Sequence, residues 1–190
     1  MTGLYGGVFD PPHDGHVALA RAALEHYDLQ QLVVFVLVEP GHKSVELGFE
    51  QRYRLAQLAF SQLPRTRLEP EGHAYTVDAL RAHERREKRY ADIIFLIGAD
   101  EFAAFPTWKD PDEVLRLARL AVATRPGYPR EALEAVLAEL EQPDRVEFFE
   151  VPAVDVSSSE IRRRVREGEP ITGLVPEAVA REIEVAGWYR

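Results

Sequence analysis

The fold is decided by residues 4–24, which read LYGGVFDPPHDGHVALARAAL. The run 4–9 has the length of a strand and is apolar apart from two glycines, and a turn-rich segment, 10–15, follows it. Apolar residues then recur at helical spacing from Val17 to Leu24. The next apolar run, Leu32 to Val38, is rich in β-branched residues and predicts a central parallel strand that is covered on both faces. Together these segments predict a first βαβ unit.

The rest of the chain repeats this alternation of short apolar runs and amphipathic stretches. Further strands are predicted at 66–69, 93–97, 120–124 and 146–151, and further helices at 50–63, 76–89, 111–118, 130–141, 158–167 and 176–186. The alternation is typical of an α/β protein with a doubly wound, mostly parallel, Rossmann-like sheet. No internal repeat or linker divides the sequence, so we predict a single domain over residues 1–190.

Composition limits the classes of function. The chain has 190 residues with 23 Lys and Arg against 32 Asp and Glu, and its formal net charge of −9 argues against a general nucleic-acid or membrane surface. Cysteine is absent, which excludes disulfides, thiolate metal sites and cysteine nucleophiles. We find no secretory signal and no apolar run that could span a bilayer, so a cytoplasmic protein is expected. An anionic ligand would need a local site.

Such a site is predicted where the first strand meets the first helix. Gly6 and Gly7 let the backbone approach a ligand closely, and His13 and His16 lie at the helix start, three residues apart. Ligands of open parallel sheets bind beyond the carboxyl ends of the strands, where helix N-termini present unpaired N–H groups to anions. The pattern therefore predicts a phosphate clamp.

The same residues allow two other interpretations of the histidines. They could be surface residues beside a tight turn, and neighbouring His13 and Asp14 could also ligate a metal, as in the metal-dependent phosphohydrolases whose signature is His-Asp. Those enzymes have all-helical domains, whereas a strand precedes this pair. The buried strand before the histidines favours the phosphate clamp.

A second cluster of polar residues opens the helix predicted at 158–167. Ser157 and Glu160 have the spacing of a capping box, which by itself explains the segment as a well-capped helix start. Hydroxyl groups and backbone N–H groups at that start, with Arg162 one turn further, could also hold a triphosphate. Residues 157–166 carry four Arg and one Glu, a local charge of +3 that favours the binding interpretation.

The two ends together resemble a known enzyme family. Gly6-Gly7-Val8-Phe9-Asp10-Pro11-Pro12-His13-Asp14-Gly15-His16 and Ser157-Ser158-Ser159-Glu160-Ile161-Arg162 are similar to the paired signatures of the nucleotidyltransferases that share the HxGH element with class I aminoacyl-tRNA synthetases. Within that superfamily the chain resembles bacterial nicotinate mononucleotide adenylyltransferases. Further matching elements are Pro40-Gly41-His42-Lys43, Ala74-Tyr75-Thr76, Ile97-Gly98-Ala99-Asp100, Phe105-Pro106-Thr107-Trp108, Arg125-Pro126-Gly127-Tyr128 and Gly187-Trp188-Tyr189-Arg190.

The resemblance implies a nucleotidyltransferase fold and transfer of AMP from ATP to nicotinate mononucleotide, with deamido-NAD and pyrophosphate as products. It assigns catalysis to His13, His16 and Arg162, and ATP binding to these three with Gly7, Val8, Phe9, Gly98, Asp100, Ser158 and Ser159. The helical part from about 157 to 190 would complete the ATP site. Mg²⁺ would be held mainly by the ATP phosphates, with no protein metal site.

For the acceptor, the resemblance implies that Trp108 stacks on the pyridine ring and that Tyr75 and Thr76 bind the nicotinate carboxylate through backbone N–H groups. Lys43 and Arg125 would contact phosphate. On the residues alone, Trp108 beside proline is more typical of a core residue, and Asp100 could cap a short turn instead of binding ribose.

Two departures from the family pattern stand at Val8, where Ser or Thr is usual, and at Gly41, where Pro is usual. Three alternatives stay open at this point. The acceptor could be nicotinamide mononucleotide, it could be phosphopantetheine, or the protein could be a nucleotide sensor without catalytic activity. The partners expected are small molecules, without nucleic acid or membrane, and self-association into a homo-oligomer is left open.

Overall fold

A computed structural model gives the fold, and it describes residues 1–40, 44–87, 92–126 and 129–190. Six parallel strands form one sheet in the order β3-β2-β1-β4-β5-β6, with helices on both faces. The sheet order reverses between β1 and β4, since the chain goes from β1 to β2 on one side and enters β4 on the other. The doubly wound α/β fold predicted from the sequence is confirmed.

The strands are β1 (Thr2–Gly7), β2 (Gln31–Leu37), β3 (Thr66–Glu71), β4 (Ile93–Gly98), β5 (Arg119–Thr124) and β6 (Val146–Glu150). The helices are α1 (Asp14–His26), α2 (Phe49–Phe60), α3 (Thr76–Glu87), α4 (Ala99–Ala103), α5 (Pro111–Leu117), α6 (Arg130–Leu137), α7 (Ser158–Glu167) and α8 (Glu177–Ala186). Short 3₁₀ turns lie at Phe105–Thr107 and Pro143–Arg145.

Every strand and helix predicted from the sequence is present, but some of the ends differ. β1 ends at Gly7, two residues before the predicted end, because Phe9 turns out of the strand with a left-handed φ of 54°. α2 and α6 end at Phe60 and Leu137, three and four residues earlier than predicted. The five-residue helix α4 was not predicted, since it follows β4 directly and is too short to show a periodic pattern.

Side chains from the two faces of the sheet form two separate cores. Along β2, Val34 and Val36 pack with α1 and α2, whereas Val33 and Phe35 pack with α3 and α5. All four are fully or almost fully buried. This alternation explains why the strand reads as an unbroken apolar run, because a parallel strand covered on both faces has no solvent side.

The end of β1 is shaped by one close packing contact. The ring of Phe9 folds back over Gly7, and a Cβ atom at position 7 would lie 2.5 Å from that ring. Phe9 is 2% exposed and packs edge-on against Tyr5 and Phe60, so its ring has no room to move away. Glycine at position 7 is therefore required by this packing.

The described part of the chain contains no helix with the length and apolarity needed to cross a membrane.

Gly7→Ala should lower the free energy of unfolding by about 1–3 kcal/mol, because the added methyl group overpacks a buried aromatic cluster. Gly72→Ala is the matched control, since nothing lies within 4 Å of a Cβ built there, and its effect should stay within about 0.5 kcal/mol. Urea unfolding of both variants measures the difference. Equal stabilities of the two variants would contradict this packing.

Candidate active site

A cleft of about 980 Å³ opens at the carboxyl ends of β1 and β4, where the strand order reverses. This is the position at which doubly wound sheets bind their ligands. The cleft is lined by nearly all of the residues that the sequence singled out: Gly7, Val8, Phe9, His13, His16, Tyr75, Thr76, Gly98, Asp100, Trp108, Arg125, Ser158, Ser159 and Arg162. The structure thus brings together residues from both ends of the sequence.

The two histidines lie against each other at the start of α1. Their rings are stacked with centroids 3.6 Å apart, and the backbone N–H of His13 donates to Nδ1 of His16 at 3.1 Å. Because Nδ1 accepts, the proton of a neutral His16 ring lies on Nε2. Gly15 makes this stacking possible, since a Cβ atom there would lie 3.1 Å from the His13 ring.

His13 is a buried, uncharged imidazole. Burial, with a smaller contribution from the charge of Arg125, lowers the pKa of His13 to about 4. Its Nδ1 atom is buried and has no hydrogen-bond partner among the described residues. A buried polar atom without a partner is costly. The His13 residue lines the cleft, where an imidazole N–H could donate to a phosphate oxygen.

The turn between β1 and α1 is held from outside by Arg52. This arginine is 1% exposed, and its guanidinium donates to the carbonyls of Val8, Val38 and Leu47 at 2.8, 3.1 and 3.2 Å. These carbonyls would otherwise be left without partners near the end of the sheet. Arg52 therefore fixes the path of the backbone that leads into the histidines.

Helix α7 contacts the turn between β1 and α1 on the side opposite Arg52. The side chain of Ser157 caps the helix by accepting from the backbone N–H of Glu160 at 3.2 Å. The next hydroxyl, on Ser158, donates to the carbonyl of Pro11 at 2.9 Å. The capping interpretation is correct for Ser157, while the Glu160 carboxylate binds Arg163 and Arg164 rather than closing a capping box.

Arg162 is the arginine of α7 that faces the cleft. Its Nη1 donates to the carbonyl of Asp10 at 2.7 Å and its Nε donates to Glu46 at 2.9 Å. Its Nη2 group has no hydrogen-bond partner among the described residues. The guanidinium is therefore anchored on two sides and keeps a donor for an anion.

The positive charge predicted for residues 157–166 is largely paired. Arg163 and Arg164 form ion pairs with Glu160 and Glu169, and Arg166 binds both oxygens of Glu46 at 2.9 Å. The local charge of +3 is therefore a poor measure of the positive charge available in the cleft, because Glu46 and Glu169, outside the segment, neutralise part of it.

Asp100 and Arg125 lie at the ends of neighbouring strands and form an exposed ion pair of 3.8 Å. Asp100 lies within the first turn of α4, whose N-cap is Gly98. The alternative in which Asp100 caps this turn is therefore wrong. Its carboxylate is 79% exposed at the edge of the cleft.

Aromatic and backbone groups gather at the other end of the cleft. Trp108 is half-buried and packs edge-on against Phe95 and Phe105, so it is partly a core residue and partly a wall of the cleft. The carbonyl of Tyr75 accepts the first hydrogen bonds of α3, from the N–H groups of Asp78 and Ala79. The N–H groups of Thr76 and Val77 are therefore left without helical partners.

Lys43, and the Gly41 departure beside it, lie outside the described residues. The other departure from the family pattern, Val8, lines the cleft. Its carbonyl accepts a hydrogen bond from Arg52.

Four residues that shape this site were missed from the sequence: Asp10, Glu46, Arg52 and Tyr189. A signal existed for Arg52, which shares the buried stripe of α2 with Leu55, Ala56 and Ala59 and is the only charged residue on it. Asp10 and Tyr189 lie within motifs that carry the family resemblance, but the sequence assigned neither a role, and Glu46 carries no local pattern. These residues meet through contacts between distant parts of the chain.

Comparison with known proteins supports the class that this site suggests. The fold and the site define a cytidylyltransferase-like protein, and the model of that family matches residues 4–164. A probable nicotinate-nucleotide adenylyltransferase of Moorella thermoacetica is 37% identical, covering 100% of this chain and 91% of the relative. One of Thermus thermophilus is 39% identical, covering 99% of this chain and 98% of the relative. The chain belongs to the nicotinate-nucleotide adenylyltransferase family.

A solved structure carries the same fold. The nicotinic acid mononucleotide adenylyltransferase of Plasmodium falciparum, complexed with NaAD, superposes with a TM-score of 0.80 at 17% identity, covering 99% of this chain and 96% of that chain. At this identity the likeness shows the fold alone.

The lowered pKa of His13 predicts a pH dependence of stability. The unfolded imidazole, with a pKa near 6.5, takes up a proton before the folded one does, so stability is present above pH 6.5 and falls as the pH drops toward about 4. Between pH 6.5 and about 5, the wild type should lose about 1–2 kcal/mol more than His13→Asn. Urea unfolding across this range measures the difference. Parallel pH profiles would show that the His13 pKa is not lowered.

Proposed function

We propose that this chain transfers AMP from ATP to nicotinate mononucleotide, giving deamido-NAD and pyrophosphate in NAD biosynthesis. One observation carries the proposal: the start of α1 and the start of α7 meet at a single turn, through the 2.9 Å contact of Ser158 with Pro11. Two helix N-termini with imidazole, hydroxyl and guanidinium donors suit a triphosphate. The names of the relatives supply the acceptor.

In this proposal the ATP phosphates lie between α1 and α7. His13 and His16 bind the phosphates at the start of α1, and His16 stabilises the charge that develops in the transition state. Ser159 and Arg162 bind the β- and γ-phosphates from α7, with Ser158 fixing the helix start against the turn. The C-terminal part from about 157 thereby completes the ATP site.

The nucleoside part of ATP lies along the ends of β1 and β4. Gly7, Val8 and Phe9 offer backbone groups close to the phosphates, and the loss of a hydroxyl at Val8 leaves its backbone N–H in place. Gly98 brings the backbone close to the ribose, and the exposed carboxylate of Asp100 accepts hydrogen bonds from the ribose hydroxyls.

The acceptor occupies the end of the cleft near α3. Trp108 stacks on the pyridine ring, which its partial exposure and fixed edge-on packing permit. Backbone N–H groups at Tyr75 and Thr76, where α3 begins, bind the nicotinate carboxylate. Arg125 contacts the mononucleotide phosphate, and Lys43 stays a candidate for the same role outside the described residues.

The chemistry needs alignment more than an enzyme nucleophile. An ionised phosphate oxygen of nicotinate mononucleotide attacks the α-phosphorus of ATP, and the bond from that phosphorus to the bridging oxygen breaks, so that pyrophosphate leaves with the electron pair. The imidazole and guanidinium donors stabilise the negative charge that builds up on the phosphates. A chain without cysteine is suited to this direct transfer.

Mg²⁺ would accompany ATP in this site. Within the described residues no three imidazole or carboxylate side chains converge on one point, so this part of the chain offers no cage for the ion. The triphosphate oxygens are then its main ligands, as Mg²⁺ often prefers. The ion would neutralise phosphate charge.

A cytoplasmic location and self-association also stay predictions.

Pyrophosphate release with a panel of acceptors tests the proposal. We expect turnover with ATP and nicotinate mononucleotide, and much slower turnover with nicotinamide mononucleotide, because backbone N–H donors bind a carboxylate more strongly than a neutral amide. Equal or faster turnover with phosphopantetheine would reject the assignment. Binding of ATP without turnover of any mononucleotide would instead indicate a nucleotide sensor.

His16→Ala should lower kcat by about 10²–10³-fold while the chain stays folded, since it removes a donor aimed at the developing charge. His26→Ala is the matched control, because His26 is an exposed residue in the last turn of the same helix. Circular dichroism of both variants checks folding, and the rate of pyrophosphate release gives kcat. Near-normal kcat in His16→Ala would remove this residue from the mechanism.

A further inference from the structure

Tyr189 lies beyond α8, and its side chain contacts the turn between β1 and α1. Its hydroxyl donates to Oδ1 of Asp10 at 2.7 Å, and its side chain is 6% exposed. The backbone turns at Gly187 and again at Tyr189, both with a positive φ, of 68° and 65°. A left-handed φ is unfavourable for a residue with a Cβ atom, so the packing and the hydrogen bond of Tyr189 must hold it there.

Asp10 is a buried carboxylate with strong partners. It is 3% exposed, and its second oxygen, Oδ2, accepts from the backbone N–H of Glu46 at 2.7 Å. The guanidinium of Arg52 interacts electrostatically with the same carboxylate. A buried charge requires hydrogen bonds of this kind, and the loss of any one of them leaves an oxygen without a partner.

Tyr189 acts as the donor in this pair. Burial first, and then the hydrogen bond to Asp10, raise the pKa of Tyr189 well above its usual range. The phenol therefore keeps its proton near neutral pH and the carboxylate can remain the acceptor.

The backbone carbonyl of Asp10 also holds the guanidinium of Arg162. Nη1 of Arg162 donates to the Asp10 carbonyl at 2.7 Å, and Ser158 donates to the next carbonyl, that of Pro11. A change in the backbone torsion angles of Asp10 would move the carbonyl that holds Arg162, and the hydrogen bonds that Tyr189 and Glu46 donate to the Asp10 carboxylate restrict such a change. The side chain and the carbonyl of one residue thus connect Tyr189 to the arginine that the proposed function assigns to phosphate.

We propose that Tyr189 is a positioning residue for the ATP site: its hydroxyl fixes the Asp10 carboxylate and, through the Asp10 carbonyl, the guanidinium of Arg162. This inference rests on the proposed function. A role in stability alone would differ from it, because the hydroxyl would then hold the end of the chain without any effect on phosphate binding.

Tyr189→Phe removes only the hydroxyl group and tests the proposal. Affinity for an ATP analogue with a methylene group between the α- and β-phosphorus atoms should fall about tenfold, the size expected for losing a hydrogen bond to a charged group. The KM of nicotinate mononucleotide should stay within about twofold, because its predicted contacts lie at the other end of the cleft. Calorimetry gives the affinity, and pyrophosphate release gives the kinetic constants.

Tyr27→Phe is the matched control. Its hydroxyl is also buried but has no hydrogen-bond partner among the described residues, so its removal should leave the affinity for the ATP analogue unchanged. Asp10→Asn is the second variant, since it weakens the same contact from the acceptor side. Adding Tyr189→Phe to Asp10→Asn should then cause much less than a further tenfold loss, because the two residues act through one hydrogen bond.

The outcomes separate this proposal from the proposed function. If Tyr189→Phe lowers only the melting temperature while analogue affinity and kinetic constants match the wild type, the positioning role is wrong. If the wild type binds the analogue but does not turn over nicotinate mononucleotide, the assigned reaction fails and the change in affinity still tests Tyr189. Wild-type protein that binds no ATP analogue would overturn both.

Discussion

The buried guanidinium of Arg52 connects three segments that would otherwise be separate: the end of β1, the end of β2 and the loop before α2. It satisfies one carbonyl in each of them, at Val8, Val38 and Leu47. Burial lowers the pKa of Arg52, while the nearby charge of Asp10 favours the protonated form. A buried cation of this kind is stable only with several acceptors. The geometry of the whole cleft depends on this contact, because the turn that carries the histidines begins at Val8.

Different parts of the fold contribute the two sets of groups that line the cleft. The donors proposed for phosphate come from the starts of α1 and α7. The aromatic wall and the backbone N–H groups proposed for the acceptor come from the segments after β3 and β4. The strand order places these groups around one point, since β1 and β4 are neighbours and their crossovers lie on opposite faces. The proposed binding of ATP by an acidic chain with a net charge of −9 is explained in this way. Its donors are concentrated at a few helix starts, and the surplus arginines of α7 are paired with glutamates.

Much of the fold was readable because its signals are local. The buried strands read as apolar runs, and Ser157 and Gly187 marked helix ends as expected. The differences arose where tertiary contacts overrode a local pattern. The sequence from Leu4 to Phe9 is apolar throughout its non-glycine positions, yet the strand stops at Gly7 because the Phe9 ring packs back over that glycine. α4 was missed because a helix of five residues has too few positions to reveal a period.

The amino-acid sequence by itself determined the doubly wound sheet, the turn that places His13 and His16 at a helix start, and the family resemblance, since each depends on residues close together in the chain. Only the tertiary structure decided which distant polar groups would satisfy that turn. Arg52, Glu46 and Tyr189 converge around Asp10 from positions up to 179 residues away. The physical reason is that buried carbonyls and carboxylates need donors, and which donors come within reach depends on how the helices pack.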